Sequence, residues 1–322
     1  MTEGGQNVKL WTFEVISSET RQDYQALPAI GARARIARNA MRQVEANLNR
    51  EVEAFSCEML EIFQRHQLTR QTTIDINSLS LEQAYQVQDR YVAARVSLGE
   101  RVVGWKVGCT SKAIREQLGL AQPICGRLLK PYVHEDDADF LVSDFINCAV
   151  EPEMIFHIGT DLLATMDDVA LMNSIVAVSP GIELHNCRFW YGKPSSQELI
   201  AANGIHAALV VGRQRPLLPD TDLALERVEL LVNGGLAASG IGTEIMGGPF
   251  NSLRWLVRHL SKRGDRVHAG DLVIPGSAVR LVSVTAGDTL EASFTTFGRC
   301  RACFRGISGN QQVKTSPAAK GH

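Results

Sequence analysis

The chain has 322 residues, of which 45% are hydrophobic and 21% charged, and its formal net charge is −2. This composition is typical of a globular protein with a buried core, and the near balance of charges favours neither nucleic acid nor an anionic membrane as a partner. Apolar runs such as 207–211 are far shorter than the roughly 20 residues of a membrane-spanning helix. An acidic N-terminal sequence without an apolar run predicts a cytoplasmic protein.

The first part of the chain is expected to be mainly helical. Residues 1–55 are polar and dotted with arginine, and we interpret them as an extension that leads into a helix. Ser80 and Gln83 form the capping box of a second helix, which ends near Gly99. A short helix is predicted over 112–118, ended by Gly119.

From residue 139 onward the pattern favours strands. Short apolar runs separated by Gly, Pro, Asn and Asp predict a strand-rich core, interrupted by one helix capped by Ser195 with Glu198 and another from Asn251 to Gly264. Residues after about 309 are poor in apolar side chains and are expected to form a frayed tail. The predicted strands are 147–157, 175–186, 206–213, 227–233, 271–275, 279–284 and 289–297.

The seven cysteines are scattered without the spacing of a disulfide framework, so we expect reduced thiols that are mostly packed. Cys300 and Cys303 form a C-x-x-C pair. Without a second pair or a nearby histidine, that pair supplies half the ligands of a zinc site. We therefore favour two ordinary cysteines in an apolar segment.

Three glutamates stand isolated in apolar segments that the pattern predicts to be strands. Glu151 and Glu153 are two apart, so both carboxylates project to one side of a strand, about 6.5–7 Å apart along the backbone. Glu183 lies in a second such segment. Buried carboxylates are costly unless they are paired or bind a cation, and all-oxygen ligation favours Mg²⁺ or Mn²⁺. The alternative is a solvent-facing sheet surface that carries ion pairs to Arg188, Lys193 or Arg213.

A lysine flanked by glycines adds to this pattern. Lys106 lies between Gly104 and Gly108 in a strand-like run, which predicts a packed stem and an inward-directed ammonium group. Such a lysine can neutralise a substrate carboxylate or exchange a proton. The alternative is a lysine whose ammonium reaches the surface.

Several separated motifs, in order over about 55–308, resemble the 2-oxopent-4-enoate hydratase and 4-oxalocrotonate decarboxylase branch of the fumarylacetoacetate hydrolase superfamily. The resemblance departs from the family pattern in the extension before residue 50, at Ala202-Asn203 in place of Asp-Asn, and at Cys187 in the stretch from His185 to Arg188. The matching motifs are Ala84-Tyr-Gln-Val-Gln88, Gly104-Trp-Lys-Val-Gly108 with Thr110-Ser111, Pro123 with Gly126, Val150-Glu-Pro-Glu153, Pro180-Gly-Ile-Glu183, Gly247-Gly-Pro249 with Trp255-Leu256, and Ala269-Gly-Asp271 with Gly276-Ser277.

The resemblance implies an α+β fold with a mixed β-roll core of the fumarylacetoacetate hydrolase type and a smaller helical N-terminal part. We divide the chain into an extension (1–55), a helical part carrying Lys106 (56–130), a metal-binding catalytic core (131–308) and a flexible tail (309–322). It also implies a homo-oligomer, and association with a sibling pathway enzyme is a further expectation. The expected site residues are Glu151, Glu153 and Glu183 for Mg²⁺ or Mn²⁺, Lys106 for catalysis and substrate binding, and Gln88, Asn203 and Ser277 for substrate binding.

Several activities share these motifs. We favour hydration of a 2-hydroxypentadienoate-type dienol to a 4-hydroxy-2-oxo acid in aromatic-compound degradation, because no surplus of basic residues near the motifs suits a second substrate carboxylate. Decarboxylation of a 4-oxalocrotonate-type acid uses the same electron sink. Hydrolysis of an acylpyruvate needs a base such as His134 with Glu135, for which a surface loop is the simpler interpretation. A non-catalytic 2-oxo acid binder or partner subunit stays open because of Ala202.

Overall fold

The computed structural model describes residues 49–66, 75–186 and 194–306. The features below concern the compact unit that begins at Glu51. The predicted extension is described only from residue 49 onward, and the predicted tail and Cys187 lie outside the described residues. Within these ranges, no helix combines the length and the apolar character needed to cross a membrane.

The predicted helices are confirmed. Residues 49–65 are helical, and both capping boxes, at Ser80 with Gln83 and at Ser195 with Glu198, are formed. Gly119 ends the short helix in the left-handed conformation, with φ 65°. The helices of the described residues are α1 (49–65), α2 (Leu81–Ser97), α3 (Lys112–Leu118), α4 (Asp168–Asn173), α5 (Ser196–Ala201) and α6 (Pro249–Lys262).

The described strands form two sheets. The larger has the order β2-β1-β11-β5-β6-β7-β3, with β12 added to β5 and β8 to β6, and the smaller has the order β10-β9-β13-β14-β4. Parallel pairs β1–β11, β3–β7 and β14–β4 stand among antiparallel ones, so both sheets are mixed. The strands are β1 (Arg101–Gly108), β2 (Ile124–Lys130), β3 (Val133–Glu135), β4 (Ala138–Leu141), β5 (Cys148–Ile158), β6 (Ile175–Asn186), β7 (His206–Val211), β8 (Arg215–Pro216), β9 (Arg227–Val232), β10 (Gly235–Ile241), β11 (Leu272–Ile274), β12 (Val282–Ser283), β13 (Thr289–Phe294) and β14 (Gly298–Arg305).

All seven predicted strands are present, although only Val282–Ser283 of the predicted 279–284 is a strand. The strands β2, β3, β4, β8, β10 and β14 were not predicted. In β14 buried and exposed residues alternate, as a strand with one face on the core requires. β1 and β2 belong to the segment 56–130, yet they join the same sheet as β5, β6 and β7. The boundary placed at residue 130 therefore falls inside one compact unit.

The larger sheet packs around an apolar cluster that joins its strands. Leu128, Ile155, Leu209 and Ile274 come from β2, β5, β7 and β11, and all four are fully buried. A glycine is needed where β1 meets β11, because a Cβ built on Gly104 would lie 1.9 Å from the carbonyl oxygen of its partner. This close approach fixes β1, and with it Lys106, against β11.

Candidate active site

Two of the predicted carboxylates lie opposite each other in the larger sheet. Glu151 on β5 pairs in register with Glu183 on β6, and Glu153 faces Gly181 one step further along the same side. Glu151 and Glu183 each have a carboxylate oxygen within 4.8 Å of the other and of a ring nitrogen of His185. The family resemblance predicted that these two glutamates meet, and it did not predict the histidine.

Of the three glutamates, Glu153 is the one whose ionised form its surroundings destabilise most. It is buried, and the backbone N–H of Gly276 donates to its Oε2 at 3.2 Å. Burial, followed by the neighbouring charges of Glu183 and Glu151, raises the pKa of this carboxyl well above its usual value. A positive charge placed among these groups would favour the ionised form of Glu153 and so offset both causes.

Lys106 is buried, as the flanking glycines indicated. Its Nζ lies 2.6 Å from Oε1 of Glu183 and donates to the carbonyl oxygen of Gly204 at 3.1 Å. Gly204 has φ 65°, and a Cβ there would meet Cε of the lysine at 3.2 Å. Since β11 and β5 lie between β1 and β6 in the sheet, this ion pair joins two strands that are not neighbours.

Glu183 is held in its ionised form. Burial alone would raise the pKa of its carboxyl, but nearby His185, the Lys106 ammonium and a bond from His206 together hold that pKa far below its usual range. Nδ1 of His206 lies 2.7 Å from Oε1, the same oxygen that Lys106 contacts. The interpretation of the glutamates as a solvent-facing surface therefore fails for Glu183 and Glu153, which are both buried.

Sequence reasoning missed both histidines of this site. His185 lies two residues after Glu183, on the same side of β6, and its Nε2 is 3.2 Å from Oε2 of Glu151 and 3.4 Å from Oε2 of Glu183. His206 opens β7 and pairs in register with His185. The available signal was a polar residue at an alternate position of an apolar strand, the same signal that identified the glutamates.

The predicted substrate-binding residues Gln88 and Asn203 are buried and bonded to backbone. Nε2 of Gln88 donates to the carbonyls of Cys125 and Ile200, at 3.0 and 2.7 Å. The Asn203 amide accepts from the N–H of Arg127 at 2.7 Å and donates to its carbonyl at 2.8 Å. These bonds fix the loop that carries Gly204 against β2.

Ser277 also contacts backbone next to the glutamates. Its Oγ donates to the carbonyl oxygen of Pro152 at 3.0 Å and accepts from the N–H of Val279 at 3.2 Å. Pro152 separates Glu151 from Glu153, so this contact holds the segment between the two carboxylates.

Two other candidate groups lie elsewhere. The ring of His134 on β3 packs edge-on against Phe140, with centroids 4.9 Å apart, and burial followed by Lys130 lowers its pKa. Cys300 and Cys303 are free thiols three apart on β14, so they point to opposite sides of the strand. Neither group contributes to the carboxylate cluster that the structure shows.

Comparisons with known proteins agree with this architecture. No family model matches the chain. The chain is 31% identical over 222 residues to a 2-keto-4-pentenoate hydratase from Paraburkholderia phymatum, covering 69% of this chain and 85% of that protein. A 4-oxalocrotonate decarboxylase from Pseudomonas sp is 27% identical over 230 residues, covering 71% and 89%. The solved 4-oxalocrotonate decarboxylase from Pseudomonas putida G7, complexed with magnesium and adipate, has a TM-score of 0.75 at 24% identity and covers 80% and 98%.

The fold is therefore the α+β fold of the fumarylacetoacetate hydrolase type, as expected from the sequence. The chain belongs to the 2-oxopent-4-enoate hydratase and 4-oxalocrotonate decarboxylase branch of that superfamily. It is an enzyme of the hydratase or decarboxylase type. The resemblance inferred from separated motifs is confirmed.

Proposed function

We propose that the chain is a lyase that depends on a divalent cation and hydrates a 2-hydroxypentadienoate-type dienol to a 4-hydroxy-2-oxo acid. The observation that carries this proposal is the convergence of Glu151 and Glu183 beside the buried Lys106. The hydratase names of the relatives with about 30% identity support the same reaction type. Such a dienol arises in the breakdown of aromatic compounds, as the sequence resemblance implies.

In this proposal Glu151, Glu153 and Glu183 hold Mg²⁺ or Mn²⁺. Three carboxylates and one ammonium leave two negative charges uncompensated, and a dication would balance them. The raised pKa of Glu153 indicates that positive charge is lacking next to this carboxyl. Carboxylate oxygens are the ligands that hard divalent cations prefer. When bound, the cation would stabilise negative charge on the 2-oxygen of a 2-oxo acid.

Lys106 has a separate task. An ammonium group carries three hydrogens, and two of them point to partners, at Glu183 and at the carbonyl of Gly204. We assign the third to the substrate, where it balances carboxylate or enolate charge or moves a proton.

Decarboxylation is the second candidate, because it needs the same electron sink. It also needs a second substrate carboxylate, and cationic groups near the site would favour that substrate. The ion-pair partners that the structure gives to Glu151 and Glu183 are Lys106, His185 and His206, and Lys106 alone among them carries a permanent charge. A single permanent positive charge suits a substrate with one carboxylate, and this favours hydration over decarboxylation.

Hydrolysis of an acylpyruvate and non-catalytic binding are weaker alternatives. The hydrolase hypothesis relied on His134, which packs against Phe140. The binder hypothesis relied on Ala202, but Asn203 beside it supports the loop of Gly204 through its own bonds. A catalytic lysine held by that loop fits an active enzyme better than an idle one.

Product analysis by NMR separates these activities. Purified protein is incubated with paired monocarboxylate and dicarboxylate dienols, with Mg²⁺ and then with EDTA. We expect a 4-hydroxy-2-oxo acid from the monocarboxylate, and EDTA should abolish its formation. Release of CO₂ would identify a decarboxylase and cleavage a hydrolase, whereas turnover that is absent with and without the cation would identify a binder.

Two variants test the assigned roles. E153A should lose metal affinity and activity together, because it removes one cation ligand and leaves the buried pair at Glu183 intact. K106M should lower kcat much more than it lowers metal affinity, since the lysine acts on the substrate. Calorimetry that finds unaltered Mg²⁺ affinity in E153A, or an unchanged rate in K106M, would remove that residue from the proposal.

We also propose a homo-oligomer that works in the cytoplasm, and a complex with a sibling pathway enzyme, as the resemblance implies. Light scattering of the purified chain would measure its oligomeric state directly. A monomer at working concentrations would contradict the first of these expectations.

A further inference from the structure

His185 is a buried imidazole whose nitrogens are unsatisfied. The residue is 3% exposed, and within the described part of the chain neither Nδ1 nor Nε2 has a hydrogen-bond partner. Buried polar atoms without partners cost free energy and are rare in folded proteins, so each one calls for an explanation. Core packing alone does not supply one, because an apolar side chain would fill the same space without that cost.

The position of Nε2 points to the explanation. It lies 3.2 Å from Oε2 of Glu151 and 3.4 Å from Oε2 of Glu183, without the geometry of a hydrogen bond to either. Adjacent ligands of a six-coordinate cation with bonds of about 2.1 Å lie about 3 Å apart, so such spacings suit three atoms that share one ion.

The two oxygens of Glu183 have different surroundings. Oε1 is occupied by the ammonium of Lys106 at 2.6 Å and by Nδ1 of His206 at 2.7 Å. Oε2 faces His185 instead. The carboxylate is therefore fixed by one oxygen and presents the other toward Glu151 and the free imidazole nitrogen.

We propose that Nε2 of His185 is a ligand of the same cation as Glu151 and Glu183, and that this nitrogen shifts the preference of the site from Mg²⁺ toward Mn²⁺, Fe²⁺, Co²⁺ or Zn²⁺. The inference rests on the proposed cation site and extends it, since carboxylates alone suit Mg²⁺. Imidazole nitrogen adds little affinity for Mg²⁺ and much more for borderline first-row ions. His185 thus determines which ion the enzyme uses.

Pulsed EPR of Mn²⁺ bound to the full-length chain tests nitrogen coordination directly. We expect ¹⁴N coupling in the wild type and its loss in H185Q. H157Q is the matched control, because His157 also lies on a strand of this sheet but is bonded to Ser179 at 2.8 Å. It should keep the coupling.

Calorimetry with Co²⁺ and Mg²⁺ provides the second readout. The ratio of Mg²⁺ to Co²⁺ dissociation constants should fall at least about tenfold in H185Q and stay unchanged in H157Q, as expected for loss of a nitrogen ligand. If H185Q does not fold, H206Q replaces it, and the ¹⁴N coupling should persist there because His206 contacts Glu183 rather than the ion.

The outcomes separate the two proposals. Bound Mn²⁺ without ¹⁴N coupling in the wild type would overturn the role of His185 and leave the cation site standing. Coupling that survives in H185Q, or that disappears in H206Q, would also overturn it, by assigning the nitrogen to another residue. If the wild-type chain binds no divalent cation, both the proposed function and the role of His185 are overturned.

Discussion

Replacing Lys106 with methionine tests the ion pair that joins β1 to β6. Methionine keeps most of the unbranched stem of the side chain and removes its charge. The side chains of Lys106 and Glu183 are 4% and 1% exposed, and the charged atoms are 2.6 Å apart. The substitution therefore leaves a buried carboxylate without its nearest cation.

The expected loss of stability is large. Breaking a buried pair by removing one partner costs about 3–5 kcal/mol, since the remaining charge stays buried. Here His206 still donates to the same oxygen of Glu183 at 2.7 Å, so we expect the lower end, about 3 kcal/mol. The same substitution at Lys112, whose exposed pair with Glu116 spans 3.6 Å, should cost less than about 0.5 kcal/mol.

The assay is urea unfolding of metal-free protein in EDTA, because a bound cation would itself compensate Glu183. Tryptophan fluorescence is a suitable signal, since Trp105 is buried beside the lysine. K106M combined with E183Q should be more stable than the sum of the single effects predicts, by about 1–3 kcal/mol. A K106M protein as stable as K112M, or strictly additive effects in the double variant, would refute the buried ion pair.

Three further predictions concern stability. Burial and the other two glutamates raise the pKa of Glu153 above 4.5, so the metal-free wild type should lose stability as pH rises from 4.5. E153Q in EDTA should therefore have a higher urea midpoint than the wild type at pH 8, and a lower midpoint would contradict this. G104A should destabilise the fold by about 3 kcal/mol or more, because its Cβ would lie 1.9 Å from the carbonyl oxygen of Leu272. The control is G99A, where φ is 102° and no atom lies near the added Cβ, so that only backbone strain is measured. Equal urea midpoints for the two variants would rule out the clash. Burial, followed by two basic side chains, lowers the pKa of His259 to about 4. The neutral ring therefore contributes fully to stability above pH 6.5, and this contribution is lost as pH falls toward 4. The unfolding free energy of H259Q should depend less steeply on pH over this range, and a slope identical to that of the wild type would contradict the shift.

The local sequence pattern was sufficient to predict which way the glutamates face and that they are buried, but not which residues they meet. Glutamates isolated in apolar strands face one side by alternation, and both Glu153 and Glu183 are buried. The register of β5 against β6, which sets Glu151 opposite Glu183, depends on pairing between segments far apart in the chain. Local pattern carries little information on such pairing, so the convergence rested on the family resemblance.

Polar residues were harder to assign than charged ones. Gln88 and Asn203 matched motifs, yet a motif does not tell whether an amide faces a ligand or a backbone carbonyl. In this fold such amides replace the regular hydrogen bonds of a chain that leaves helix α5 and enters β7 through a left-handed Gly204. A polar residue that matches a family motif can therefore serve the backbone around a site, and the substrate-binding role assigned to Gln88 and Asn203 stays a prediction.

The histidines show the limit most clearly. His185 and His206 face each other because β6 and β7 pair in one register, with an irregularity between Leu184 and His185. A slip of one residue would turn each ring to the opposite side of the sheet. A carboxylate in an apolar strand indicates a functional site because burying its charge costs much free energy. Burying an uncharged imidazole costs much less, so a histidine there resembles an ordinary core residue. The sequence pattern does not separate His185 from such a residue, and its proposed role as a ligand rests on the placement of its unpartnered Nε2 near two carboxylate oxygens.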